Sequence, residues 1–130
     1  MTERAQARAT VVVVEDNDDN LILIRALLEE RFEVREHREG RAALDAMARA
    51  LPDVVLLDLA LPEMDGLSVL SALRERHGPA LPVVAVTAHA MLGDKERLLA
   101  AGFDAYISKP IVDGDAFLDL VQSLAERAQP

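Results

Sequence analysis

The apolar positions of this chain fall into three short unbroken runs, Val11–Val14, Val54–Leu57 and Val83–Val86, with longer stretches between them where apolar residues recur at helical spacing. Short runs rich in β-branched residues and free of polar interruption predict strands buried on both faces of a parallel sheet. Among the helical stretches, Asp18–Arg31 follows the cap-like pair Asp16-Asn17 and carries Leu23, Ile24, Leu27 and Leu28 on one face. Arg41–Ala50 offers Leu44 and Met47, Leu67–Arg76 offers Leu67, Leu70 and Leu73, and two more helices are predicted over Gly93–Ala101 and Asp115–Ala128. Phe32-Glu33-Val34 and Asp104–Ser108 are shorter and more polar, which predicts strands nearer the edges of the sheet.

Five β–α units in succession specify an α/β fold. The expected architecture is a five-stranded parallel doubly wound sheet in the order 2-1-3-4-5 with five helices, a flavodoxin-like arrangement. A chain of 130 residues suits one domain, expected over 10–126, with tails at 1–9 and 127–130. Its 14 Lys+Arg against 23 Asp+Glu give a net charge of −9, which disfavours direct binding to nucleic acid or to an anionic membrane. The absence of cysteine excludes a disulfide framework, a thiolate metal site and a thiol nucleophile. No apolar stretch is long enough for a bilayer, and Met1–Ala9 lacks the apolar centre of a secretory signal, so the expected localisation is cytoplasmic.

Polar residues recur where each apolar run stops: Glu15-Asp16 after the first, Asp58 after the second, Thr87 after the third, and Lys109-Pro110 after the last predicted strand. In an open parallel sheet these positions share the carboxyl edge, where ligands bind beside the switch in strand order. Three carboxylates gathered there repel one another by roughly 4 kcal/mol per pair at an effective dielectric of 20, so the cluster needs a proton or a divalent cation. Oxygen ligands without His or Cys point to Mg²⁺. Each residue also has a purely structural reading: Asp16 and Asn17 as helix caps, Asp58 and Asp65-Gly66 as turn residues, Thr87 as a strand end and Lys109-Pro110 as a corner. Their convergence on one edge is what favours chemistry over coincidence.

Four segments, VVVVEDN (Val11–Asn17), VVLLDLALPEMDGL (Val54–Leu67), VVAVTAHA (Val83–Ala90) and AYISKPI (Ala105–Ile111), resemble in wording and order the CheY-like receiver domains of two-component response regulators. The resemblance spans about residues 10–125, and the wording from the third segment to the fourth is most similar to single-domain receivers and receivers attached to hybrid kinases. It implies that Asp58 takes a phosphoryl group from a phosphohistidine of a sensor histidine kinase or histidine phosphotransferase. It further implies direct Mg²⁺ ligation by Asp16, Asp58 and the backbone carbonyl of Ala60, with Glu15 acting largely through water. Lys109, joined to Pro110 by a cis peptide, would pair with the phosphoryl group. Thr87 would hydrogen-bond that group, and Tyr106 would rotate inward behind it, remodelling the face of the fourth helix, fifth strand and fifth helix for an unidentified downstream protein. Tyr106 as a half-buried edge-strand aromatic is the plainer alternative. Ala60 and His89 occupy positions that tune the lifetime of the acyl phosphate in this family; Ala60 cannot position a water, whereas His89 either bonds one or sits exposed.

On the first helix, Ile22 points nearly opposite the apolar stripe and Leu21 sits at its margin, which makes Leu21 and Ile22 the candidate kinase-docking residues. The implied function is a phosphoacceptor signalling domain that catalyses only its own phosphorylation and dephosphorylation. Two rivals share the fold class. A haloacid-dehalogenase-type phosphatase wants a second Asp two residues after the nucleophile, where this chain has Ala60. A flavodoxin-like FMN carrier wants Ser, Thr and backbone donors in the first loop, where this chain has Glu15-Asp16.

Overall fold

A computed structural model of the chain describes residues 8–61, 64–88 and 94–128. In order along the chain come β1 (Thr10–Val14), α1 (Asp18–Leu28), β2 (Glu33–His37), α2 (Gly40–Arg49), β3 (Val54–Asp58), α3 (Gly66–His77), β4 (Val83–Thr87), α4 (Asp94–Ala101), β5 (Ala105–Ser108) and α5 (Gly114–Ala128). The strands form one parallel sheet in the order β2-β1-β3-β4-β5. The predicted topology is therefore the observed one, with element ends displaced by a few residues.

Side chains alternate across the pleat, so each central strand feeds two cores. Val12, Val14, Val55, Leu57, Val83 and Ala85 point to the side covered by α2, α3 and α4, where Leu44, Met47, Leu70, Leu73 and Leu98 meet them. Val11, Val13, Val54, Leu56, Val84 and Val86 point to the side covered by α1 and α5, against Ile24, Leu28, Phe117 and Val121. β3 and β4 are buried along their whole length, the property that their unbroken apolar runs predict.

Helix phases differ from expectation in two places. In α1 the buried residues are Leu21, Ile24 and Leu28, whereas Leu23 is exposed. Leu21, expected at the margin and offered for docking, is 4% exposed and belongs to the core. The segment LILIRALL fits two adjacent stripes equally well, and packing in the core shared with the sheet and α5 buries the one through Leu21. In α3, Val69 is buried beside Leu70 and Leu73, and Leu67 faces outward.

The second strand is Glu33–His37 and not Phe32–Val34. Phe32 instead closes the end of α1, its N–H donating to the carbonyl of Leu28 at 2.9 Å, while its side chain is buried among the α1 residues. At the chain ends, the Ala9 carbonyl accepts from the N–H of Glu33, and α5 runs through Ala128, with Arg127 bonded to Asp104. The sheet contacts thus reach Ala9 and the last helix reaches residue 128, one and two residues past the expected limits of 10–126. The edge of the sheet opposite the carboxyl ends is tied by Arg74 of α3. Its guanidinium donates to the carbonyls of Leu81 (2.6 Å) and Gly102 (2.7 Å) and to the Asp104 carboxylate (3.0 Å), which also accepts from Val83 N–H. Among the described residues no helix is long and apolar enough to cross a membrane.

Candidate functional site

The parallel sheet ends its three central strands at one edge, and the polar residues that follow are positioned by short backbone links. Glu15 N–H donates to the carbonyl of His37 at 3.0 Å, which extends the β1–β2 ladder by one residue and turns the Glu15 side chain inward. Asn17 caps α1, its side-chain oxygen accepting from Asn20 N–H at 3.0 Å. The cap therefore belongs to Asn17 rather than Asp16, and Asp16 sits in the two-residue link with its carboxylate facing solvent and the cluster. Asp58 is the last residue of β3; one carboxylate oxygen accepts from Ala60 N–H at 3.0 Å. Lys109 N–H donates to the Thr87 carbonyl at 2.8 Å, carrying the β4–β5 ladder one step beyond Ser108, and the peptide to Pro110 is cis, as expected.

These links bring the predicted residues together. Glu15, Asp16 and Asp58 each offer a carboxylate oxygen, and the three lie within 4.8 Å of one another. The Lys109 ammonium reaches Glu15 at 2.9 Å and Asp58 at 3.3 Å. Burial pushes the Glu15 carboxyl up from its ordinary value; the bond to Lys109 pulls it back, but the neighbouring Asp58 adds to the rise. Burial works to lower the Lys109 ammonium, and the bond to Glu15 with the charge of Asp58 outweighs it, so its net shift is upward. One ammonium thus pairs with Glu15 and Asp58 in a cluster of three carboxylates. An all-carboxylate donor set fits a hard divalent cation such as Mg²⁺ and offers nothing to a soft metal.

Outside the cluster lies a cleft of about 500 Å³ lined by Asp58, Leu59, Ala60, Thr87, Ala88, Asp94, Arg97 and Lys109. Thr87, the last residue of β4, is buried, and the small Ala88 follows it on the cleft wall. Asp94 and Arg97, an ion pair in the first turn of α4, belong to this lining and were not picked out from the sequence. The signal was available: a helix that follows β4 must begin near the carboxyl edge of the sheet, so the charges of its first turn face the same cleft. His89 lies outside the described residues. Tyr106, in β5, is half-buried and packs beside the core on the α4 side of the sheet. Ile22 is 65% exposed on α1.

Three kinds of comparison agree with this geometry. Residues 11–122 match the family model of the response regulator receiver domain. The polar-differentiation response regulators DivK of Brucella anthropi and Brucella ovis are each 46% identical over 107 residues, covering 78% of this chain and 85% of theirs. The receiver domain of the Francisella response regulator 1452 superimposes with a TM-score of 0.86 at 27% identity, over 94% of this chain and all of that one. The receiver domain of the sensor histidine kinase PA1611 of Pseudomonas aeruginosa, which has a magnesium ion coordinated in its active site cleft, gives 0.82 at 31% identity, over 92% of this chain and 99% of its own. A parallel sheet with an acidic cluster and a lysine at its carboxyl edge, together with a family match across nearly the whole fold, places this chain among the response-regulator receiver domains.

Proposed function

We propose that Asp58 accepts a phosphoryl group from a phosphohistidine on a sensor histidine kinase or histidine phosphotransferase, and that the modified chain signals by protein contact. The observation that carries this reading is the Asp58 carboxylate itself. It ends a doubly buried strand, is bonded to Ala60 N–H and to Lys109 from two directions, and opens onto a cleft of about 500 Å³. In the transfer an Asp58 oxygen attacks phosphorus in line, a P–O bond forms, the P–N bond breaks and the donor imidazole leaves. The residues held around Asp58 orient the carboxylate for attack.

Asp16 and Asp58 would hold Mg²⁺ with the Ala60 carbonyl, and Glu15 would act mainly through water; the ion supplies electrostatic stabilisation of the transferring oxygens. Lys109 neutralises the anionic product from the inner side. Thr87 offers its hydroxyl to the arriving oxygens, and Tyr106 follows into the space behind it, changing the face formed by α4, β5 and α5 where a downstream protein would bind. On the donor side, Ile22 is the docking residue, and Leu21 drops out because it is buried. The domain limits are placed at about 9 to 128, a small extension of the expected 10–126 that the Ala9 contact and the end of α5 support.

The test is intact-mass analysis of the chain incubated with a small phosphodonor. The expected result with Mg²⁺ is the gain of one phosphoryl group that hydroxylamine removes; with the cation chelated, little or none forms. Equal labelling with and without Mg²⁺, or a hydroxylamine-stable product, would overturn the proposal.

A further inference from the structure

The acceptor cleft contains a cation that the phosphoacceptor chemistry above does not use. Arg97 lines the same cleft as Asp58, Thr87 and Lys109. Its present partner is Asp94, three residues earlier in α4, and the Arg97 side chain is 75% exposed. The two cations of the lining therefore stand differently. Lys109 is enclosed and already shared between Glu15 and Asp58. Among the described residues Arg97 pairs with Asp94 alone, and although that carboxylate is largely buried (14% exposed), the guanidinium side chain itself stays mostly in solvent.

A phosphoryl group on Asp58 brings about −1.5 to −2 charges and three strong acceptor oxygens into a site already lined by the carboxyl groups of Glu15, Asp16 and Asp94. Lys109 cannot neutralise that alone without giving up Glu15. A planar guanidinium presents paired N–H donors suited to phosphoryl oxygens, and an exposed arginine exchanges partners at small cost.

We propose that Arg97 is a second phosphoryl-binding residue: it leaves Asp94 for the phosphoryl group, first on the incoming donor and then on Asp58, while Asp94 acts as its resting competitor. This rests on Asp58 being the acceptor. A consequence is that α4 acquires a direct link to the phosphoryl group through its first turn, separate from any movement of Thr87 or Tyr106.

The experiment measures phosphorylation by acetyl phosphate with Mg²⁺ as a function of donor concentration, for the full chain and for Arg97→Ala, Arg97→Lys and Asp94→Asn. Loss of one screened, charge-assisted contact should raise the half-saturating donor concentration of Arg97→Ala by roughly 3- to 10-fold, with Arg97→Lys in between. Asp94→Asn, which frees the guanidinium, should lower it. The opposite signs are the signature, since a merely structural helix pair is lost equally in both variants. Unchanged half-saturation in Arg97→Ala, or a shift of the same sign in Arg97→Ala and Asp94→Asn, would overturn the role of Arg97. Failure of the unaltered chain to label would instead overturn the acceptor reading beneath it.

Discussion

At the scale of single residues, the site is an electrostatic problem with a partial solution built in. Glu15, Asp16 and Asp58 are drawn within 4.8 Å by the ends of β1 and β3, and Lys109 is the ammonium placed among them. Its removal leaves buried Glu15 and Asp58 facing each other without a counter-charge. Such a loss costs about 3–5 kcal/mol in a sealed interior, and because this pocket opens to solvent we expect about 1–3 kcal/mol for Lys109→Ala in metal-free buffer. Added Mg²⁺ should recover part of that loss, because a divalent cation bound to the native cluster stabilises it by mass action. Denaturant unfolding with and without Mg²⁺ reads both effects. A variant as stable as the parent, or a deficit that Mg²⁺ leaves untouched, would contradict the electrostatic account. Beside Asp58, the absence of a side chain at Gly66 has a definite job. A Cβ there would lie 2.8 Å from the Asp58 carbonyl oxygen and from Leu59 Cα, both backbone atoms, so the first turn of α3 could not pack against the segment that carries Asp58.

At the scale of elements, two surfaces divide the proposed signal between input and output. Ile22 stands exposed on α1, the helix that begins two residues after Asp16, and Tyr106 lies on β5 beside the α4 side of the core. Ile22→Asp should slow transfer from a phosphorylated kinase or phosphotransferase domain while leaving acetyl phosphate labelling unchanged. Tyr106→Ala should leave both labelling reactions intact and weaken phosphorylation-dependent binding of the downstream protein. Equal loss of kinase-dependent transfer in the two variants would remove the division. The same elements show how far the sequence could be read. β1, β3 and β4 were legible because the interior of a strand covered on both faces is an unbroken run of Val, Leu and Ala, which stops where the strand reaches the polar carboxyl edge of the sheet. That stop also gave Asp58 and Thr87 their positions. β2 was misplaced because an edge strand, EVREH, needs no apolar run, and the buried Phe32 before it looked like part of the strand. The phase of α1, and with it the fate of Leu21, depends on its packing in the core shared with the sheet and α5, which no local pattern encodes. Arg97 was missed for a different reason: an i, i+3 pair with Asp94 reads as ordinary helix surface until the helix is placed against the cleft.

At the scale of the whole molecule, ten elements deliver side chains from the ends of four strands, β1, β3, β4 and β5, to one small volume, while the opposite edge is held by Arg74, Asp104 and Arg127. Chemistry and mechanical closure are thus placed at opposite ends of the same sheet. A net charge of −9 sets the molecule against polyanions, in keeping with a signal passed by protein contact. Among the described acidic residues, Asp58 alone ends a fully buried central strand beside the other cluster carboxylates. Asp53 sits before β3 at the far edge, its carboxylate accepting from Thr10 N–H at 2.8 Å, and Asp65 caps α3, accepting from Ser68 N–H at 2.8 Å. The most direct measurement is therefore phosphoryl labelling by a small phosphodonor with Mg²⁺, compared across the parent chain, Asp58→Asn, Asp53→Asn and Asp65→Asn. The account predicts a hydroxylamine-labile label in the parent, in Asp53→Asn and in Asp65→Asn, and none in a folded Asp58→Asn. An undiminished label on Asp58→Asn would contradict it.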